Sequence, residues 1–249
     1  MNHFSGRILA FESLDSTNTY VKAHLDALPD RSIVTANTQT AGRGRSGKSW
    51  ASPPDTALYL TALWKNPAFD PSLLPLYSAL AVCRTLEQAG GLPCFLKWPN
   101  DVLLNRKKVC GILCESVIGH PDRPVWSGIG INVNQSADDF AGEALPYATS
   151  LYLETGRHFP VALLREQLAD ELDQVSEEAA RDGFARLRPE YERRLYNIGR
   201  EVRVLYRDRE VQATALGVLE NGNLLCRNEQ GTFRVNSGEA SVRGLYGYV

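Results

Sequence analysis

Thr38-Gln39-Thr40-Ala41-Gly42-Arg43-Gly44-Arg45-Ser46-Gly47-Lys48-Ser49-Trp50 is the stretch whose reading decides this 249-residue chain. Three glycines and three cations fall within residues 42–48, and a tryptophan closes the run. Glycine lets the backbone reach positive φ and approach a ligand closely. Arginine offers a planar fork of donors that fits carboxylate and phosphate. A loop of this make-up suits a polyanion. The plain alternative is a flexible surface loop, and three cations with no acidic neighbour across residues 41–50 argue against it.

Gly42, Gly47, Lys48 and Ser49 also satisfy the phosphate-loop pattern G-x-x-x-x-G-K-[ST]. That pattern works only when a helix follows, because the free N–H groups of the helix N-terminus help hold the phosphates. Here Trp50-Ala51-Ser52-Pro53-Pro54 follows. Two adjacent prolines do not sit inside a helix, and a residue before proline is biased to extended backbone. Residues 57–64 then read as a strand, so the phosphate-loop reading is set aside.

Outward from the loop, residues 32–37 are a short β-branched strand leading in, and residues 57–64 lead out. A loop between strands puts a ligand site on a sheet. Upstream, residues 7–14 alternate weakly, as a strand would. Asp15-Ser16-Thr17-Asn18 holds four helix N-cap formers ahead of a helix. Those side chains either cap only, which is routine, or offer hydroxyls and an amide to a small polar ligand. Downstream, residues 73–89 carry apolar residues at helical spacing and stop at Gly90-Gly91. In Lys97-Trp98-Pro99-Asn100-Asp101 the proline breaks a strand. The turn is either a hairpin corner or a place for phosphate and a divalent cation, which takes oxygen ligands. A basic turn at residues 105–108 follows, with Lys108 the member best placed to point inward. Residues 125–134 form a strand containing Gly128 and Gly130, and glycine in a strand marks close approach of a ligand or another backbone. Asn132 and Asn134 share one face at period two. Residues 135–148 read as a loop, Thr149-Ser150 opens a short apolar piece, and residues 160–181 and 184–195 read as helices with one apolar face. After Gly199, short strands with turn residues between them predict a small β-barrel, and a domain boundary is placed near Ile198.

Composition narrows the function. A net charge of −2 gives no global drive toward nucleic acid. Five cysteines without a C-x-x-C pair predict no disulfide framework. No apolar run is long enough for a membrane span, and the N-terminus lacks a secretory pattern, so a cytoplasmic location is expected.

Five segments now stand in a fixed order. They are Asp15-Ser16-Thr17-Asn18, the loop from Gln39 to Trp50, Lys97-Trp98-Pro99-Asn100-Asp101, Lys108-Val109-Cys110-Gly111-Ile112-Leu113-Cys114-Glu115 and Gly128-Ile129-Gly130-Ile131-Asn132. Each is a modest signal; together, in this order, they are specific. The chain resembles the biotin protein ligase family over essentially its whole length, and Ser237-Gly238-Glu239-Ala240-Ser241-Val242-Arg243 resembles the end of that family's C-terminal cap.

The resemblance implies an α+β protein. Residues 1–198 would form a mixed-sheet catalytic domain of the class II aminoacyl-tRNA synthetase-like type, and residues 199–249 an SH3-like β-barrel. It implies two substrates, ATP and biotin, with Mg²⁺. Biotin's carboxylate attacks the α-phosphate to give biotinyl-5′-AMP, and a lysine of a biotin carboxyl carrier domain then takes the biotinyl group. By position, Ser16, Thr17, Asn18 and Gln39 would bind the ureido and nearby polar atoms. Arg43, Gly44 and Arg45 would wrap carboxylate and phosphates, and Lys108 would hold the oxygens of the adenylate. Lys97 and Asp101 would serve ATP phosphates and Mg²⁺, with Asn100 in support. Trp50 and Asn132 would lie against the adenine, and Gly111 and Gly130 would leave room for the biotin rings. Arg43, Arg45, Lys97 and Lys108 are the expected catalytic set.

Two positions depart from the family. Lys48 stands where arginine is common, which removes a bidentate fork, and Ser46 stands where a further basic residue can occur. Ser16-Thr17-Asn18 arrives too early for a winged-helix domain before it, so a monofunctional ligase without DNA binding is expected, as a monomer or homodimer. The alternatives are a lipoate or octanoate ligase of the same fold type and a non-catalytic biotin-binding regulator. Arg43-Gly44-Arg45 and the Lys97–Asp101 turn favour the biotin branch over the first, and retention of Lys97 and Lys108 argues against the second.

Overall fold

The chain opens with strand β1 (Ile8–Leu14), a short helix α1 (Thr17–Ala23) and strand β2 (Ser32–Gln39), which lies parallel to β1. The structure is a computed structural model and describes residues 3–142, 145–245 and 248–249. Strand β3 (Ala57–Trp64) is buried at all its positions, which is why its sequence runs nearly without polar residues. Helix α2 (Leu74–Gly90) has Pro75 in its first turn and ends at Gly91 in the left-handed region, φ 72° and ψ 12°, where glycine carries no Cβ penalty. Strands β4 (Phe95–Lys97), β5 (Asp101–Leu104), β6 (Lys107–Ser116) and β7 (Val125–Asn132) complete a seven-stranded sheet of order β1-β2-β3-β7-β6-β5-β4. Only β1 and β2 pair in parallel, so the sheet is mixed.

The two faces have different tasks. Leu58, Leu60, Ala62, Ile112, Ile129 and Ile131 point to one side, into the main core under α2 and α5 (Val161–Arg194). The two helices expected over residues 160–195 form this one element, interrupted at Gly183 with φ 67° and ψ −176°. On the opposite face, Val21, Leu25 and Leu28 from α1 and its exit pack on Val34, Leu63 and Trp126 as a second, smaller core. The rest of that face carries polar groups and glycines and is roofed by residues 40–56.

Register places five residues in one row across this face. Tyr59 pairs with Gly130, Gly130 with Gly111, Gly111 with Asp101, and Asp101 with Lys97. Adjacent strands stand roughly 4.8 Å apart. The stretch expected as a loop over residues 135–148 contains the short helix α3 (Ala137–Gly142); Glu143 and Ala144 lie outside the described residues. Ser150 caps α4 (Leu151–Thr155) by accepting from the Leu153 N–H.

The C-terminal strands β8 (Glu201–Leu205), β9 (Glu210–Val218), β10 (Leu224–Asn228), β11 (Gly231–Val235) and β12 (Ser241–Gly244) form an antiparallel sheet of order β11-β10-β9-β8-β12. It shares one hydrophobic core with the main sheet, with Val202, Ala215 and Leu224 in the same cluster as Trp98 and Leu195. Trp98 joins the two sheets. Its indole N–H donates to the Gly222 carbonyl at 3.0 Å, and its backbone N–H donates to Asn197 Oδ1 at 3.1 Å.

Candidate active site

Helix α1 needs a capping side chain at Ser16, yet Ser16 makes no side-chain cap hydrogen bond. The polar side chains around it turn instead toward the sheet. Thr17 donates its backbone N–H to Gln39 Oε1 at 2.9 Å, and its hydroxyl lies 2.8 Å from that of Thr61. Thr61 Oγ1 also reaches Asn18 Oδ1 at 2.7 Å, while Asn18 Nδ2 donates to Glu115 Oε2 at 2.7 Å and to the Leu113 carbonyl at 3.2 Å. Gln39 Nε2 donates to Ser52 Oγ at 3.0 Å. The result is a buried polar cluster fixed from three strands. Gly128 makes it possible, because a Cβ there would lie 2.1 Å from Asn18 Oδ1.

Beside this cluster the sheet is floored by Gly111 and Gly130. The Trp50 indole rests directly on both: a Cβ added at Gly130 would stand 2.6 Å from Nε1, and one at Gly111 would stand 2.7 Å from Cζ3. The indole Nε1 is buried without a hydrogen-bond partner. The roof that carries Trp50 is a small hairpin rather than a helix entrance. Gly44 N–H donates to the Lys48 carbonyl at 2.7 Å, and Trp50 N–H donates to the Gly42 carbonyl at 2.9 Å. Ser46 (φ 56°) and Gly47 (φ 75°) turn it through the left-handed region. Gly42 is required, since a Cβ would meet the Trp50 carbonyl oxygen at 2.4 Å. The phosphate-loop reading fails here for the anticipated reason: extended backbone follows Ser49.

The cations gather around the floor, and each has a protein partner. Arg43 pairs with Glu115 at 3.4 Å. Arg45 donates to Asn100 Oδ1 at 2.9 Å and to the carbonyls of Ser237 and Ala240, so it ties the roof to the C-terminal sheet. Burial holds the Arg45 guanidinium below its ordinary pKa, against the pull of Asp101. Lys108 Nζ lies 2.6 Å from Asp101 Oδ1 and 5.3 Å from the centroid of the Trp50 ring. Lys97 Nζ lies 3.4 Å from Asp101 Oδ2, which also accepts from the Tyr248 hydroxyl. Burial pushes the Lys97 ammonium down to about 8, outweighing the attraction of Asp101 and reinforced by Lys108. Asp101 is itself buried, which would raise its pKa, but Lys108 and Lys97 prevail and hold it at about 2.

Twelve of the residues singled out from sequence line one cavity of about 60 Å³: Ser16, Thr17, Asn18 and Gln39 at the polar end, Gly111 and Gly130 below, and Arg43, Gly44, Arg45, Trp50, Asn100 and Lys108 above and beside. Asp101 and Lys97 continue the row beyond Gly111. Three of the singled-out residues stand in other contacts. Asn132 does not reach the cavity: its Nδ2 donates to the Thr149 carbonyl at 2.9 Å and its Oδ1 accepts from Gln135 at 3.2 Å, so its amide secures the end of β7. Trp50 lies on the glycine floor, over Gly111 and Gly130. Asp101 has its oxygens engaged by two ammoniums and a phenol, and no cluster of three or more His, Cys, Asp or Glu occurs among the described residues. Mg²⁺ typically keeps waters and substrate phosphates as ligands and needs only one or two carboxylates, so Asp101 would meet it as part of a nucleotide complex. Lys48, the departure from the expected arginine, is exposed at the hairpin tip.

Thr61, Glu115, Gly128 and Tyr248 also belong to this site and were not assigned from sequence. Thr61 carries a signal, as the lone threonine inside an apolar strand. Glu115 shares the parity of Gly111 on β6, a second legible sign. Tyr248 had none, because its place depends on the path of the C-terminal tail.

A mixed sheet whose bare face carries a two-glycine floor, a buried polar cluster and a roof of cations, followed by a small antiparallel sheet, defines a protein ligase of the biotin/lipoate type. Residues 10–132 match the Biotin/lipoate A/B protein ligase family, and residues 198–243 match the Biotin protein ligase C terminal domain. The chain belongs to the biotin protein ligase family. It is 32% identical over 237 residues to a biotin–[acetyl-CoA-carboxylase] ligase of Paracoccus denitrificans, covering 92% of this chain and 98% of that one. It is 32% identical over 217 residues to the bifunctional ligase/repressor of Bacillus spizizenii, covering 86% and 67% respectively. A biotin protein ligase from Aquifex aeolicus, solved in complex with biotin and ATP, superimposes with a TM-score of 0.85 at 30% identity over 96% of this chain and 99% of that one.

Proposed function

We propose that this protein joins biotin to a lysine of a biotin carboxyl carrier domain at the expense of ATP, through enzyme-held biotinyl-5′-AMP. The observation that carries the reading is the order of chemistry along one sheet face. A buried cluster of amides and hydroxyls comes first, then a glycine floor, then Asp101 and Lys97 in register, with the Lys108 side chain reaching Asp101 from β6.

In this reading, biotin's ureido group replaces hydrogen bonds that Thr17 and Gln39 now make with each other, Gln39 with Ser52, and Asn18 with Thr61 and Glu115. Its rings take the floor when Trp50 lifts, and its carboxylate arrives beside Lys108. The carboxylate oxygen then attacks the α-phosphorus, and the bond to the pyrophosphate leaving group breaks. Charge grows on phosphoryl and leaving oxygens, where fixed cations stabilise the transition state without reorganisation. Lys108 serves the acyl-phosphate end and Lys97 the polyphosphate end. Arg43 and Arg45 exchange Glu115 and the Ser237 carbonyl for ligand oxygens. In the second step the carrier lysine's amine attacks the acyl carbon and AMP departs. The roof hairpin, closed again, shields the anhydride from water. Mg²⁺ would neutralise phosphate charge as part of the nucleotide complex.

We place the protein in the cytoplasm, as a monomer or homodimer that meets its carrier domain in solution. Among the described residues, no helix is long and apolar enough to cross a membrane, and five cysteines stand free. The deciding experiment supplies labelled biotin, ATP and Mg²⁺ with an apo biotin-carrier domain, beside lipoate and a lipoyl domain. Label on the carrier alone supports the reading. Label on the lipoyl domain would move the chain to the sister activity, and biotin binding without transfer would make it a regulator.

A further inference from the structure

Tyr248, next to last in the chain, reaches the catalytic row from the tail that follows β12. Its hydroxyl donates to Asp101 Oδ2, and its ring lies 4.0 Å from Lys97 Nζ. The same ring stacks on Tyr147 with centroids 5.4 Å apart at 16°, and Arg243 stands 5.9 Å from it. Tyr147 is tied to the site through its carbonyl, which accepts from the Lys108 N–H at 2.7 Å. The tail, the Lys108 strand and the Lys97–Asp101 pair therefore meet around one phenol.

Asp101 has two oxygens for three donors. Lys108 holds Oδ1 at 2.6 Å, a tight charge-assisted contact. Tyr248 and Lys97 both donate to Oδ2, Lys97 from 3.4 Å, a longer contact than an ammonium usually makes to a carboxylate. The face of the Tyr248 ring supplies the attraction that Asp101 withholds, since an ammonium over an aromatic face is held by the ring quadrupole. Lys97 and Lys108 thus share a single carboxylate, with Arg243 beside the Tyr248 ring, and positive charge is in surplus at this end of the row.

We infer that Tyr248 is a positioning residue for the nucleotide: by sharing Asp101 Oδ2 and offering its ring to Lys97, it holds the Lys97–Asp101 ion pair at a long 3.4 Å, so that the ammonium can exchange part of that contact for ATP phosphate oxygens. This rests on the ATP-dependent reading above. In Tyr248→Phe the ring remains and the hydroxyl is lost, so Lys97 closes on the vacated oxygen.

The test measures biotin- and ATP-dependent pyrophosphate release by the 249-residue chain, its Tyr248→Phe variant, Lys97→Met, and the double variant. The Tyr248→Phe change should raise the KM for ATP roughly fivefold to tenfold, with kcat and the KM for biotin nearly unchanged, a loss confined to nucleotide capture. In the Lys97→Met background the same change should do nothing further, because Tyr248 acts through Lys97. A chain ending at Gly247, which loses both ring and hydroxyl, should show a larger rise in the KM for ATP. An ATP KM within twofold of wild type for both tail variants, equal losses for ATP and biotin, or an undiminished effect without Lys97 would each overturn the inference. Absence of pyrophosphate release by the wild type would instead overturn the ATP-dependent reading itself.

Discussion

Lys108 and Lys97 differ in burial although they share one carboxylate. Lys108 lines the cavity and has about a quarter of its side chain exposed, whereas Lys97 is almost sealed. Lys108→Ala should therefore cut adenylate formation by about a hundredfold to a thousandfold, the usual loss of one preorganised charge donor, while biotin binding falls far less; equal losses would remove its assigned role. Lys97 is protonated below about pH 8 and loses its charge as pH rises through that value. The KM for ATP should then climb above pH 8 while biotin affinity stays level. Lys97→Arg, which keeps its charge, should abolish that rise, and a flat ATP profile in the wild type to well above pH 9 would refute the assignment. At Gly130 a side chain meets the indole. Gly130→Val should leave the fold intact but weaken biotin binding by roughly tenfold to a hundredfold, the equivalent of about 1–3 kcal/mol of overpacking, as read by titration calorimetry. At this scale the sequence exposed most of the site. Cations in a glycine loop and glycines in a strand are unusual enough to mark themselves. Asn132 is less legible, because an asparagine ending a strand looks the same whether it faces a ligand or, as its bond to the Thr149 carbonyl does, secures the next segment.

Elements are legible where local chemistry alone sets them. Strand β3 and helix α2 follow the expected limits closely because an unbroken apolar run and a glycine stop need no tertiary help. Helix α1 begins where four cap formers predict, yet its side chains serve the sheet face instead of the cap. The broken α5 was read as two helices because both flanks have the helical period, and Gly183 at φ 67° and ψ −176° supplies the physical break. That conformation belongs essentially to glycine alone, so Gly183→Ala should cost about 1–3 kcal/mol and lower the melting temperature by several degrees, with catalytic constants per folded molecule unchanged. A melting temperature equal to that of wild type would show that the kink relaxes freely.

Across the whole molecule, the sequence separates a larger α+β part from a β-rich tail, and composition alone makes the tail look autonomous. Packing joins them. One hydrophobic cluster runs through both sheets, Trp98 bonds to Gly222, and Arg45 fastens the roof to the turn before β12. None of these contacts has a local signature, since each spans more than a hundred residues. Calorimetry of the intact chain should give one cooperative transition; two resolved transitions would mean that the shared core contributes little. The same long-range order gives the sheet a further property. From Gly130 to Lys97 the row crosses three strand intervals, about 14 Å at the usual strand spacing. Backbone hydrogen bonds set that length, and side-chain substitutions cannot stretch it. The sheet is a ruler: a biotin homologue with one extra methylene in its tail still seats its rings but carries its carboxyl past Lys108, so it should compete for binding and fail to be activated.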